Sequence, residues 1–220
     1  MAPEGKAKGL FFGVVMRGGC WTCGERLSPN EVAGVCPACR WRWPLIDGGA
    51  GKVMVQERLG WDFVVAGVRV REGPGTEEVL HRMKYGGFPK VALSLGRWLA
   101  ERHPSPPKQC VLVPVPIHWR RRWKRGFNQT EALAEGLALS WGLEVRRDLL
   151  TRVRHGASLT GVSREGRLAA LRSTFVAHGH GLRVVLVDDV CTTGATASVC
   201  REALETSGHV VEGGAWVGLA

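Results

Sequence analysis

Arg183-Val-Val-Leu-Val-Asp-Asp-Val-Cys-Thr-Thr-Gly-Ala-Thr-Ala197 is the stretch whose reading decides the fold. Its apolar run, Val184 to Val187, has the pattern of a strand buried on both faces of a parallel sheet. Asp188 and Asp189 stand at the carboxyl end of that run, the end where ligands bind in an open α/β sheet. Thr192, Thr193, Gly194, Ala195 and Thr196 follow, and a helical pattern runs from Ala197 to Leu204. Small residues let a backbone approach a ligand, hydroxyls add donors, and the free N–H groups of a helix start attract an anion such as phosphate. Two adjacent acids beside such a cradle suit a ligand carrying both hydroxyls and a phosphate, as a ribose 5-phosphate unit does. The plainer alternative is a buried strand ending in an Asp-initiated turn, which explains neither the second acid nor the hydroxyl run.

A second apolar strand, Cys110 to Val115, ends in Pro114-Val-Pro-Ile-His118 and is followed by a basic loop, Trp119 to Arg125. If both strands belong to one sheet, Arg121 and Arg125 face the same crevice as Asp188 and can hold a leaving diphosphate. The alternative is an ordinary solvated basic surface. A helix follows, with a start signal at Thr130-Glu131 and an apolar face of Leu133, Leu137 and Trp141. Upstream, Phe63 to Val70 has strand character, and helices are expected from Thr76 and from Pro89 to Arg102. Lys84-Tyr85-Gly86-Gly87 breaks the first of these, leaving Lys84 either at a solvated helix end or beside a bound anion. Residues 143 to 153 form a short strand region. The charged, Gly- and Ser-containing segment from Arg154 to about Arg167 has the composition of a lid. Ser173 to Ala177 and Val210 to Val217 return to strand pattern.

Four of the seven cysteines fall in Cys20-Trp-Thr-Cys23 and Cys36-Pro-Ala-Cys39. Two such pairs can surround one ion tetrahedrally, as structural zinc prefers, and the metal then supplies folding energy that so small a unit lacks. Free thiols and a redox pair are the alternatives, the latter without a thioredoxin-like context. Asp47-Gly-Gly-Ala-Gly51 resembles a linker, so the expected division is a zinc-ribbon-like module over 1–50 and an α/β domain over 51–220.

Apolar residues make up 45% of the chain, enough for a real core, and the net charge of +10 fits a polyanionic ligand, nucleic acid or an acidic partner. Cys110, Cys191 and Cys200 lie in apolar surroundings, which argues for a reducing compartment over a disulfide framework. The early apolar run from Leu10 to Met16 is too short to span a bilayer, and cytoplasmic residence with no membrane insertion is expected.

The segment from Val187 to Thr196 resembles the phosphoribosyl diphosphate (PRPP) motif of type I phosphoribosyltransferases. With the double Cys-x-x-Cys, Lys84-Tyr85-Gly86, Pro114-Val-Pro-Ile-His118 and Arg125-Gly-Phe-Asn-Gln129, nearly the whole chain resembles the ComF-type competence proteins. That resemblance implies a type I phosphoribosyltransferase fold behind an N-terminal zinc module of four cysteines, and a role in natural transformation. It further implies that Asp188 and Asp189 bind ribose hydroxyls, with Mg²⁺ bridging to the diphosphate. Thr192, Thr193, Gly194, Ala195 and Thr196 would hold the 5-phosphate, and Arg121 and Arg125 the diphosphate. Arg154 and Arg167 would lie on a closing hood loop. Leu159 and Ala170 stand where the family usually carries glutamine and asparagine, and Cys191 replaces the more usual residue before Thr-Thr. A binding protein for PRPP, a nucleotide, single-stranded DNA or other competence proteins is the rival to a transferase. For a general base, Asp189 is a candidate and His118 a weaker one.

Overall fold

A computed structural model describes residues 19–27, 34–46, 50–73, 75–85, 89–153 and 174–220. In chain order come α1 (Pro37–Trp41), α2 (Ala50–Leu59), β1 (Phe63–Arg69), α3 (Thr76–Tyr85), α4 (Pro89–Arg102) and β2 (Cys110–Pro114). Then follow α5 (Trp119–Arg125), α6 (Gln129–Trp141), β3 (Glu144–Val145), β4 (Leu150–Arg152), β5 (Phe175–Ala177), β6 (Arg183–Cys191), α7 (Ala195–Thr206) and β7 (Val210–Leu219).

Five strands form a parallel sheet in the order β1-β7-β6-β2-β3, while β4 and β5 pair antiparallel beside it. The mostly parallel sheet with flanking helices expected from the sequence is thus present. β6 is central, and its side chains alternate between two separate cores. Val185 and Val187 pack with α3, α4, α6 and the cysteine module, and Val184 and Leu186 pack with α2 and α7. An inner strand buried on both faces needs apolar residues at every position, which is why the run from Val184 to Val187 is unbroken.

The connections place the site. From β2 the chain passes through α5 and α6 to β3 on one side, and from the adjacent β6 it passes through α7 to β7 on the other. α6 covers one face and α7 the opposite one. Neighbouring strands whose connections diverge in this way leave a crevice beyond their carboxyl ends. Helices α4 and α6 cross closely because Gly96 meets Gly136; a Cβ on Gly136 would lie 2.1 Å from the Leu93 carbonyl oxygen.

Four local expectations change. β6 runs on to Cys191, so the acid pair lies within the strand; Asp188 is opposite Trp216 of β7, whereas pairing to β2 stops at Val187. The basic loop is a helix, α5, capped at one end by His118 Nδ1 accepting from Arg120 N (3.2 Å) and at the other by Gly126 at φ 78°. α6 starts one residue before Thr130, because the Asn128 side chain accepts from Thr130 N. α2 starts at Ala50, inside the stretch 47–51 expected to be a linker, with no strong amphipathic pattern to announce it.

Candidate functional site

The loop after β6 closes a hollow of about 40 Å³ lined by Asp188, Thr192, Thr193, Gly194, Thr196 and Trp216 among others. Gly194 is the N-cap of α7 with φ 78°, a conformation costly for any residue with a Cβ. A Cβ there would also stand 2.8 Å from Leu59 Cδ2, so the end of α2 buttresses the loop. Arg201 of α7 fixes that buttress by donating to the Leu59 carbonyl (2.8 Å). Ala195, Thr196 and Ala197 of the first turn of α7 line this hollow, at the positive end of the helix dipole.

Asp188, Val190 and Thr196 also line a larger cleft of about 230 Å³, so the two spaces adjoin at these residues. Its remaining walls are Lys84 and Tyr85 from the end of α3, Val115 to Ile117 after β2, Arg121 and Arg125 of α5, Gln129, Arg152 and Asp189. Every described residue that the sequence singled out for the phosphoribosyl ligand therefore lines one or the other of these adjoining spaces. Arg154, Arg167, Leu159 and Ala170 lie outside the described residues.

Strand alternation sends the two acids to opposite faces. Asp189 continues the face of Val185 and Val187 and meets α3 and α6. Lys84 Nζ is 3.2 Å from its Oδ2, and Gln129 Nε2 donates to the same oxygen at 3.0 Å. Arg125 in turn donates to Gln129 Oε1 (3.0 Å), and its guanidinium lies 4.6 Å from the centre of the Tyr85 ring. Asp188 lies at the floor between the two hollows and accepts from Asp189 N at 2.8 Å. Burial first, and then the Asp189 charge, push its carboxyl up to about 8, against the pull of Lys84 and Arg152.

Gln129 and Arg152 are site residues that the sequence reading did not assign. Gln129 stood within the quoted Arg-Gly-Phe-Asn-Gln, whose local sense was a helix start. Arg152 ends β4 just before the segment expected to be a lid, and that position was the available signal. Its guanidinium lies 5.3 Å from the Phe175 ring centre, and its Nε is buried with no hydrogen-bond partner among the described residues. Burial and then Arg121 lower its pKa, while Asp188 opposes the shift. His118, weighed as a base, is buried and caps α5.

The four-cysteine cluster is the second site. The sulfur atoms of Cys20, Cys23, Cys36 and Cys39 lie within 4.8 Å of one another. The Cys23–Cys36 separation of 3.8 Å matches the edge of a tetrahedron with metal–sulfur bonds of about 2.3 Å, roughly 3.8 Å. For Cys20, burial opposes ionisation, but hydrogen bonds from the backbone of Cys36, Cys23 and Thr22 outweigh it and bring the thiol to about 6. Burial and the three neighbouring thiols push Cys39 up to about 12. Four such groups cannot all ionise without a cation among them, so the cluster can hold a structural zinc. Arg82 of α3 lies 5.1 Å from the Trp21 ring centre, and Trp43 meets Trp98 edge-on at 5.5 Å. These contacts seat the module on α3 and α4.

Comparisons with known proteins find relatives in sequence. The DNA utilization protein YhgH of Salmonella typhi is 33% identical over 143 residues, covering 61% of this chain and 63% of that protein. Competence protein F of Haemophilus influenzae is 34% identical over 103 residues, 44% of this chain and 45% of its own. Competence protein ComFC of Bacillus subtilis is 26% identical over 193 residues, 86% of this chain and 72% of its own. The chain is a homologue of the ComF-type competence proteins. Its match spans just under two thirds of the length of the YhgH proteins. No protein-family model matches the chain.

Among solved structures, an allosteric regulatory enzyme of purine biosynthesis is similar with a TM-score of 0.42 and 21% identity, over 61% of this ComF homologue and 30% of that chain. The adenine phosphoribosyltransferase of Leishmania donovani is similar with a TM-score of 0.33 and 18% identity, over 78% and 69% of the two chains. No helix among the described residues is long and apolar enough to cross a membrane.

Proposed function

We propose that this competence-protein homologue binds PRPP or a related phosphoribosyl ligand in the cytoplasm and transfers the phosphoribosyl group to a nitrogen acceptor. The observation that carries the reading is that the two hollows adjoin. A loop suited to a phosphate, at the start of α7, shares Asp188 with a cleft walled by Lys84, Arg121, Arg125 and Arg152. The 5-phosphate takes the N–H and hydroxyl donors of residues 192 to 196, and the ribose hydroxyls lie over the acid pair. The diphosphate faces the basic wall. The acceptor nitrogen forms the new bond to the anomeric carbon as the bond to diphosphate breaks, and the electron pair leaves with the diphosphate. Fixed cations stabilise that developing charge, and no side chain needs to act as nucleophile.

Mg²⁺ fits this arrangement as part of the ligand. Asp188 is a hard oxygen donor crowded by a second carboxylate, and it would hold the ion together with diphosphate oxygens and water. When bound, the ion neutralises diphosphate charge. Gly194→Val tests the cradle: ribose 5-phosphate affinity, measured by equilibrium dialysis, falls at least tenfold. Unchanged affinity in a folded variant contradicts the assignment.

A second reading has its own observation. Trp119 and Trp123 on α5 are 63% and 87% exposed among arginines, and Arg120 lies 5.2 Å from the Trp119 ring centre. Exposed aromatic rings on a basic helix suit stacking of single-stranded DNA. Trp123→Ala then weakens binding of a labelled oligonucleotide, with affinity that falls steeply with salt.

A further inference from the structure

The acid pair and the basic wall are linked by one side chain. Arginine offers only donors and a carboxylate only acceptors, so the amide between Arg125 and Asp189 has a single orientation that satisfies both. Gln129 takes it, accepting from Arg125 Nη1 at 3.0 Å and donating to Asp189 Oδ2 at 3.0 Å. Lys84 completes the chain on the same Oδ2 at 3.2 Å. Gln129 is only 3% exposed at the first position of α6, where the Asn128 cap fixes the helix start. Neither glutamate nor lysine reproduces it, since one cannot donate and the other cannot accept.

We propose that Gln129 is a positioning residue that couples the two ends of the ligand, an inference that rests on the phosphoribosyl reading above. In the structure one oxygen of Asp189 is shared by Lys84 and Gln129. A ribose hydroxyl engaging Asp189 displaces Lys84, whose ammonium then turns to the diphosphate side of the cleft. Diphosphate drawing on Lys84 and Arg125 opens Asp189 to the hydroxyl in the same way. Each end of the ligand thus favours the other, and the coupling is reciprocal.

The test is calorimetric titration of the full chain with ribose 5-phosphate, with inorganic diphosphate, and with each in the presence of the other. Wild type shows each compound bound about fivefold or more tightly when the other is present. Gln129→Glu and Lys84→Met abolish the enhancement: in each variant the affinity for one compound is the same, within about twofold, with and without the other present. Thermal unfolding checks that both variants are folded, and Lys84→Met serves if Gln129→Glu is not. Two compounds that bind wild type independently, or coupling that survives in a folded variant, overturn the coupling and leave the phosphoribosyl reading standing. If neither compound binds wild type, both fail.

Discussion

At the scale of single residues, the site is defined by groups that are uncomfortable without a ligand. Asp188 is the clearest case. Its carboxyl titrates at about 8 in the folded chain against 3.8 when unfolded. Below pH 4 both states hold the proton and there is no penalty. As pH rises toward 8 the unfolded chain releases the proton freely and the folded one does not, so stability falls across that window. Asp188→Asn removes the effect while keeping an acceptor for Asp189 N. The ligand-free variant is therefore about 2 kcal/mol more stable than wild type at pH 8, after discount for the open cleft, and the gap closes toward pH 4. Denaturant titrations at the two pH values measure this. Arg152 behaves similarly, half-buried near Arg121 with its Nε unpartnered among the described residues. Arg152→Met leaves the thermal midpoint unchanged or raises it, and weakens diphosphate binding about tenfold, the order of one charge-assisted pair. A loss of stability with unchanged binding marks Arg152 as structural.

At the scale of elements, what the sequence revealed depended on how local the signal was. β6 and the loop after it were legible, because a both-faces-buried strand and a small hydroxyl loop are written in consecutive residues. The extension of β6 through the acids was not, since it follows from pairing with β7 after β2 has ended. α5 was hidden because its seven residues carry no apolar stripe; its ends depend on His118 and Gly126. The crossing of α4 and α6 was equally invisible, being a meeting of Gly96 and Gly136 from two helices. It makes a firm prediction: Gly136→Ala drives a methyl into the Leu93 carbonyl and costs about 1–3 kcal/mol in chemical denaturation, with no change in the cleft itself. The cysteine module was legible as a ligand set from spacing alone. Its seating on α3 through Trp21 and Arg82 was not. We expect one zinc per chain by elemental analysis, and a chelator that strips it to lower the thermal midpoint. Zinc-free protein of full stability would contradict the assignment.

At the scale of the whole molecule, the sheet topology turns distant residues into one site. Lys84, Arg125, Gln129, Arg152 and Asp189 come from five different elements or their ends, and they meet because the connections of β2 and β6 diverge. Sequence patterns could place Lys84 at a helix end and Asp189 at a strand end, yet the ion pair between them exists only in the fold. The net charge of +10 falls partly at this crevice and partly on the exposed face of α5. Affinity for a polyanionic ligand should therefore weaken with salt in either functional reading. The central claim is that the crevice binds a phosphoribosyl diphosphate through Asp188. Calorimetric titration of the full chain with PRPP and Mg²⁺ tests it most directly. Saturable one-to-one binding to wild type, weakened at least tenfold in folded Asp188→Asn, is the predicted result; no binding to wild type, or equal binding to both proteins, contradicts it.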